Sequence, residues 1–186
     1  ATVAADRFQD EKVVPDVFAN SPQQTMTVTY IDETNVQEGN QLTPTQVKHT
    51  PTVEWKPDGD ALYTLIMTDP DSLTPVRQYL HWLVINIHGS DVSTGVQVAA
   101  YQGAGPPPGT GAHRYVFSVW KQNRTLVTDD HGKTTSQMSM LGRLRFNTTE
   151  YASRVSGDTN PTPVAANFFK ASFDDYVKYL QGQFEK

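Results

Sequence analysis

From Thr25 onward the chain alternates. Met26, Val28 and Tyr30 fall on one side of an extended backbone and Thr25, Thr27 and Thr29 on the other, the two-residue period of a half-buried strand. Pro44 and Pro51 interrupt regular pairing in the next stretch, after which Val53 and Trp55 suit a second strand. Ala61 to Asp71 offers apolar side chains to both faces until Thr68, which predicts a central strand covered on both sides. Tyr79 to Gly89 predicts another. Its alternation assigns His81, Leu83, Ile85 and Ile87 to one face and Trp82, Val84, Asn86 and His88 to the other. In a strand from Arg114 to Gln122, continuing out of His113, the same rule groups His113, Tyr115, Phe117 and Val119 against Arg114, Val116, Ser118 and Trp120.

Helical signals lie nearer the ends. A short helix is expected around Asp6 to Val13, broken by Pro15. Asn147 or Thr148 caps a second, with Phe146 as its hydrophobic staple and Gly157 as its stop. After a short strand within PVAANFFKASF, the stretch DDYVKYLQGQF places Tyr176, Val177 and Leu180 at helical spacing behind Asp174 and Asp175. No repeat or low-complexity tract is evident.

At 186 residues the chain suits one domain spanning 1–186, since no linker separates the patterned runs. The absence of cysteine excludes disulfides, thiolate chemistry and thiolate metal sites, so stability must come from the core. With 15 Lys and Arg against 20 Asp and Glu, the formal charge of -5 disfavours a broad nucleic-acid footprint. Leu80 to Ile87 is too short to cross a bilayer. The first residues lack the basic start and apolar core of a secretory signal. A cytoplasmic, monomeric protein is expected.

Several polar residues call for a role. Asp69 and Asp71 flank Pro70 at a strand exit, either as a turn whose carboxylates accept backbone N–H groups or as an acid/base pair. In GPPPGTGAHRYVFSV, Pro106, Pro107 and Pro108 remove three donors and make a preorganised wall, while Gly109 and Gly111 permit close approach. GTGAH lacks the Lys-Ser/Thr ending of a nucleotide phosphate loop and precedes a strand. His81 opens an apolar run and His113 sits where the loop meets its strand. With Asp69 they make up a 2-His-1-carboxylate set only if the fold gathers them. No G-x-S-x-G elbow is present.

Two of these segments together resemble a known family. TDPDSLTPVRQYLHWLVINIHG (68–89) and GPPPGTGAHRYVFSVWKQ (105–122) are similar to the two signatures of the phosphatidylethanolamine-binding proteins, whose members include kinase inhibitors, carboxypeptidase inhibitors and flowering regulators. GRLRFNTTEYA and NPTPVAANFFKASFDDYVKYL are similar to later segments of the family. The resemblance implies a mainly β fold, a central antiparallel sheet packed on a smaller sheet, with peripheral helices and a small anion pocket at one end of the central sheet. Matched residue by residue, it implies ligand-binding roles for Asp69, Asp71, His81, Pro106, Pro107, His113 and Tyr115. Tyr79 stands where many animal members have tryptophan, and Tyr179 matches a helical tyrosine near the pocket if a gap is allowed. Arg114, pointing away from His113 by alternation, is expected to pair with Asp69 or Asp71. After DPD, Ser72 and Leu73 replace the usual alanine or valine and proline.

The implied function is non-enzymatic binding of phosphate or a phospholipid head group, with regulation of a kinase or protease partner, peripheral membrane contact and no cofactor. The expected donors to phosphate are His81, His113, a loop N–H and Tyr115, with Asp69 accepting. One alternative is a serine protease or carboxypeptidase inhibitor acting through surface loops or residues 1–22, where Val3, Phe8 and Phe18 show no clear core pattern. The other is a weak hydrolase or metal enzyme built on Asp69, His81 and His113.

Overall fold

The structure, a computed structural model, describes residues 6–73, 77–127 and 140–184. The chain begins with two short helical turns, α1 (Arg7–Asp10) and α2 (Val13–Asp16). The strands β1 (Gln24–Thr25), β2 (Thr27–Tyr30), β3 (Thr34–Asn35), β4 (Asn40–Gln41), β5 (Thr52–Glu54), β6 (Leu62–Asp69), β7 (Tyr79–His88), β8 (Val96–Ala99) and β9 (His113–Lys121) follow. The C-terminal part holds α3 (Met140–Arg143), α4 (Thr148–Ser156), β10 (Ala165–Ala171) and α5 (Asp175–Phe184).

Among the described residues the large sheet runs β1-β10-β9-β6-β7-β8, with β4 also pairing β10, and the small sheet runs β3-β2-β5. The central pairs β10/β9, β9/β6 and β6/β7 are antiparallel. Two cores follow from this layering. Between the sheets, Met26, Val28, Tyr30 and Trp55 meet Tyr63, Leu65, Met67, Tyr115, Phe117 and Phe169. On the other face of the large sheet, Ile66, Val116, Trp120 and Phe168 pack against Phe8, Val17, Phe18, Tyr151 and Val155. Because β6 is covered on both sides, it reads as an unbroken apolar run rather than an alternation.

Several expectations change. The alternating run from Thr25 serves both sheets, since β1 pairs with β10 and β2 with β5. The N-terminal helix divides at Lys12, whose φ is 59°. Pro15 falls within the span of α2, but Val14 before it is extended at φ -103° and ψ 122°, so the helical path is broken at the proline as expected, because proline forces the preceding residue out of the α region. Phe8 and Phe18 are core residues at 3% and 1% exposure, and Val3 lies outside the described residues. In β7 the pairing with β6 slips by one residue near His81 and again near Asn86. Leu80, Leu83 and Ile85 therefore face the helices, while Trp82, Val84 and Ile87 face the small sheet. A bulge places two residues opposite one, so strict alternation misassigned His81 and Ile87.

Other expectations hold. On β9, Tyr115, Phe117 and Val119 share the inter-sheet core and Val116 and Trp120 the opposite one. In α4, Asn147 Oδ1 accepts from the Glu150 N–H at 3.0 Å. Phe146 packs against Tyr151 at 5.5 Å, and Gly157 ends the helix at φ 80°.

Candidate functional site

The antiparallel register brings the exit of β6 beside the entrances of β7 and β9. Asp69 is opposite Tyr79, and Thr68 is opposite Val116. Polar residues far apart in sequence thus meet at one end of the central sheet. There, Asp69, Tyr79, His81, His113 and Tyr115 line a cavity of about 480 Å³ with the loop residues Gln102, Gly103, Gly105, Pro106 and Pro107. Ser72, Leu73, Tyr176, Val177 and Leu180 complete the lining. Helix α5 is anchored there by Asp174, whose carboxylate accepts from the N–H groups of Tyr176, Val177 and Thr45 and from the Thr45 hydroxyl.

His113 is 2% exposed. Its Nδ1 donates to Asp69 Oδ2 at 2.8 Å. Burial works to lower the imidazole pKa, but the Asp69 hydrogen bond and charge, with Asp71 behind them, outweigh it and raise the value. His81 behaves oppositely. Burial drives its pKa down despite the charge of Asp69 and the Gln102 hydrogen bond, so the ring is neutral near pH 7. His81 Nδ1 lies 2.6 Å from the Gln102 carbonyl oxygen and must carry the proton. Nε2 is then the ring's acceptor.

The tyrosines form an aromatic layer. Tyr115 stacks on Phe169 with centroids 5.2 Å apart and meets His81 edge-on at 5.3 Å. Burial, reinforced by Asp69, pushes its hydroxyl pKa well up, so it stays a neutral donor. Tyr79 donates to Gln102 Oε1 at 2.7 Å. Behind this layer, Arg143 donates to the carbonyls of Leu80 and His81, at 3.1 Å each, and to Ala100 at 2.7 Å. It supports the bulged start of β7.

Two of the nine expected ligand residues lie elsewhere. The Asp71 N–H donates to Asp69 Oδ1 at 2.7 Å, an Asx turn that ends the strand. That turn directs the Asp71 carboxylate to Arg114, outside the cavity lining. Burial raises the Asp71 pKa, but the Arg114 hydrogen bonds and charge overcome that and hold it below the ordinary carboxylate range. Tyr179 is 64% exposed and outside the lining, which Tyr176, Val177 and Leu180 supply from the same helix. Helical geometry explains this, because residue 179 projects from a different side than 176, 177 and 180. Arg114 pairs with Asp71 and also with Asp16.

The metal-enzyme alternative built on Asp69, His81 and His113 finds no support as a ligand set. Among the described residues no group of three or more histidine, aspartate or glutamate side chains is placed to hold a metal ion. His113 is paired with Asp69 and the His81 proton with a carbonyl. No motif or periodicity in the sequence points to Gln102 or Arg143. Both act through backbone or loop contacts that leave no spacing signal.

The sequence profile described as "Phosphatidylethanolamine-binding protein" matches residues 32–169. The chain belongs to the phosphatidylethanolamine-binding protein family. It is 30% identical over 177 residues to the "Putative odorant-binding protein A5" of Drosophila melanogaster, covering 93% of this chain and 82% of the relative. It is 36% identical over 168 residues to the "26 kDa secreted antigen" of Toxocara canis. That match covers 88% of this chain and 62% of the antigen, so the chain spans under two thirds of that relative's length. In structure it is similar to a carboxypeptidase Y inhibitor solved with its cognate proteinase, with TM-score 0.71, 22% identity, and coverage of 91% of this chain and 94% of the inhibitor. Phosphatidylethanolamine-binding proteins are typically non-catalytic, and the chain has the corresponding binding, non-enzymatic role. No described helix is long and apolar enough to cross a membrane.

Proposed function

We propose that the cavity binds the phosphate or phospholipid head group of a ligand with an apolar body, and that occupancy regulates a protein partner, a kinase or a protease. The observation that carries this reading is the division of the lining. Strand ends supply Asp69, Tyr79, His81, His113 and Tyr115, whereas Leu73, Pro106, Pro107, Val177 and Leu180 supply apolar surface. At about 480 Å³ the cavity is of small-ligand size and has room for more than a phosphate ion. The Tyr115 hydroxyl and loop N–H groups are the donors at neutral pH. His81 Nε2 accepts from a protonated phosphate oxygen or a head-group ammonium.

The partner half is supported by the use of this fold in a proteinase inhibitor. Inhibition through a free N-terminal arm is disfavoured, since Phe8, Val13, Val17 and Phe18 belong to the core.

Calorimetric titration with inorganic phosphate, phosphoethanolamine and a single-chain phosphoethanolamine lipid, at pH 6 and 8, tests the ligand half. The lipid should bind more tightly than its head group, the anions should weaken at pH 8, and Tyr115→Phe should cost about tenfold. Absence of binding for all three, or turnover of the lipid, overturns the reading.

A further inference from the structure

Thr110 stands between two glycines of left-handed φ, Gly109 at +80° and Gly111 at +77°. This backbone turns the threonine side chain back onto its own loop. Thr110 Oγ1 donates to the Pro107 carbonyl at 2.7 Å and lies 2.7 Å from His113 Nε2. A hydroxyl has one proton. With that proton committed to the carbonyl, the oxygen can only accept from Nε2, which must itself carry hydrogen. On the other side of the ring Nδ1 faces the Asp69 carboxylate, which also only accepts. Both ring nitrogens therefore donate, and the ring is an imidazolium.

This geometry alters the role of His113. Its two N–H groups are already used, one by Asp69 and one by Thr110, so its contribution to an anion is charge. The Asp69 carboxylate lines the cavity and would repel an anion; the imidazolium beside it cancels that charge. We propose that Thr110 is a positioning residue that keeps His113 doubly protonated and thereby sets the upper pH limit at which the cavity accepts an anion. The inference rests on the anion-binding reading above.

The other groups facing His113 act in known directions. Asp69 from β6 and Asp71 from the turn after it favour the charged ring, and Asp71 is itself paired with Arg114. Tyr115, on the same strand, stacks on His113 at 6.4 Å and is neutral. His81 from β7 is kept neutral by burial. Thr110 carries no charge, so replacing its hydroxyl isolates the acceptor without altering the surrounding field.

The test compares the whole chain with Thr110→Val and Thr110→Ser. The His113 ring resonances are followed by NMR from pH 5 to 9, and inorganic phosphate is titrated over the same range. Thr110→Val should lower the His113 midpoint by about one pH unit. It should also weaken phosphate about tenfold at pH values between the two midpoints, leave acid binding unchanged, and be rescued on both counts by Thr110→Ser. An unmoved midpoint overturns the proposal, as does a moved midpoint with an unmoved phosphate profile. If the wild type binds no phosphate at any pH, the anion-binding reading fails and takes the proposed pH limit with it. The NMR midpoints then report separately on the Thr110–His113 contact.

Discussion

Arg114 clasps Asp71 through three hydrogen bonds. Its backbone N–H and Nε donate to Oδ2 at 2.9 and 2.8 Å, and Nη2 donates to Oδ1 at 2.7 Å. The same guanidinium reaches the Glu11 carbonyl at 3.1 Å and the Asp16 carboxylate, tying the first helical turns to the turn after β6. The DPD element therefore has divided duties. Asp69 serves the cavity and Asp71 serves the fold.

Asp71→Ala should destabilise the protein by about 2 kcal/mol, while phosphate affinity at neutral pH stays within about twofold. Denaturant unfolding and calorimetry measure the two effects. The folded-state pKa of Asp71 is depressed, so its contribution is complete above the unfolded carboxyl value, about 3.9, and fades as pH falls through the lower folded value. The stability gap between variant and wild type should accordingly close only in acid.

Asp69→Asn removes the charge that holds His113 protonated. Its NMR midpoint should fall by about 1–2 pH units, while anion affinity persists to higher pH than in the wild type, because no carboxylate charge is left uncancelled when the ring loses its proton. The folded-state pKa of His113 is raised, so the stabilisation from this pair is complete below the unfolded value, about 6.5. It disappears as pH rises through the higher folded value. The melting-temperature gap between wild type and Asp69→Asn should therefore narrow from pH 6 towards pH 9. A gap that widens over that interval would contradict the assignment.

Phe8→Ala should cost about 3–5 kcal/mol. Phe8 is 3% exposed and packs on Phe168 with centroids 5.3 Å apart. Truncation of residues 1–22 should abolish cooperative thermal unfolding rather than remove one activity selectively. A truncated chain that unfolds with an unchanged midpoint would show that the N-terminal turns are dispensable to the core.

Much of the fold was legible because its signals are local. The apolar run of β6, the alternation of β9 and the Phe146–Asn147–Gly157 punctuation of α4 each depend on neighbours a few residues away, and each reads directly from side-chain size and polarity. The same holds for the turn at Asp69–Pro70–Asp71, one of the two readings left open. The β7 bulges were not legible, because an extra residue in a ladder is defined only against the partner strand.

The candidate site divides in the same way. Residue chemistry and the two signatures singled out Asp69, His81, His113 and Tyr115 as a group, and the cavity lining contains all four. Whether Asp71 faced the ligand or Arg114 depended on an Asx turn, and whether Tyr179 or its helical neighbours faced the cavity depended on how α5 docks. The protonation of the two histidines was undetermined in the chain itself. Identical side chains become one neutral and one charged ring because desolvation outweighs the neighbouring charges at His81, whereas the hydrogen bond to the Asp69 carboxylate outweighs it at His113. Desolvation and partner charge are properties of assembled space, which the sequence by itself specifies only through the fold it dictates.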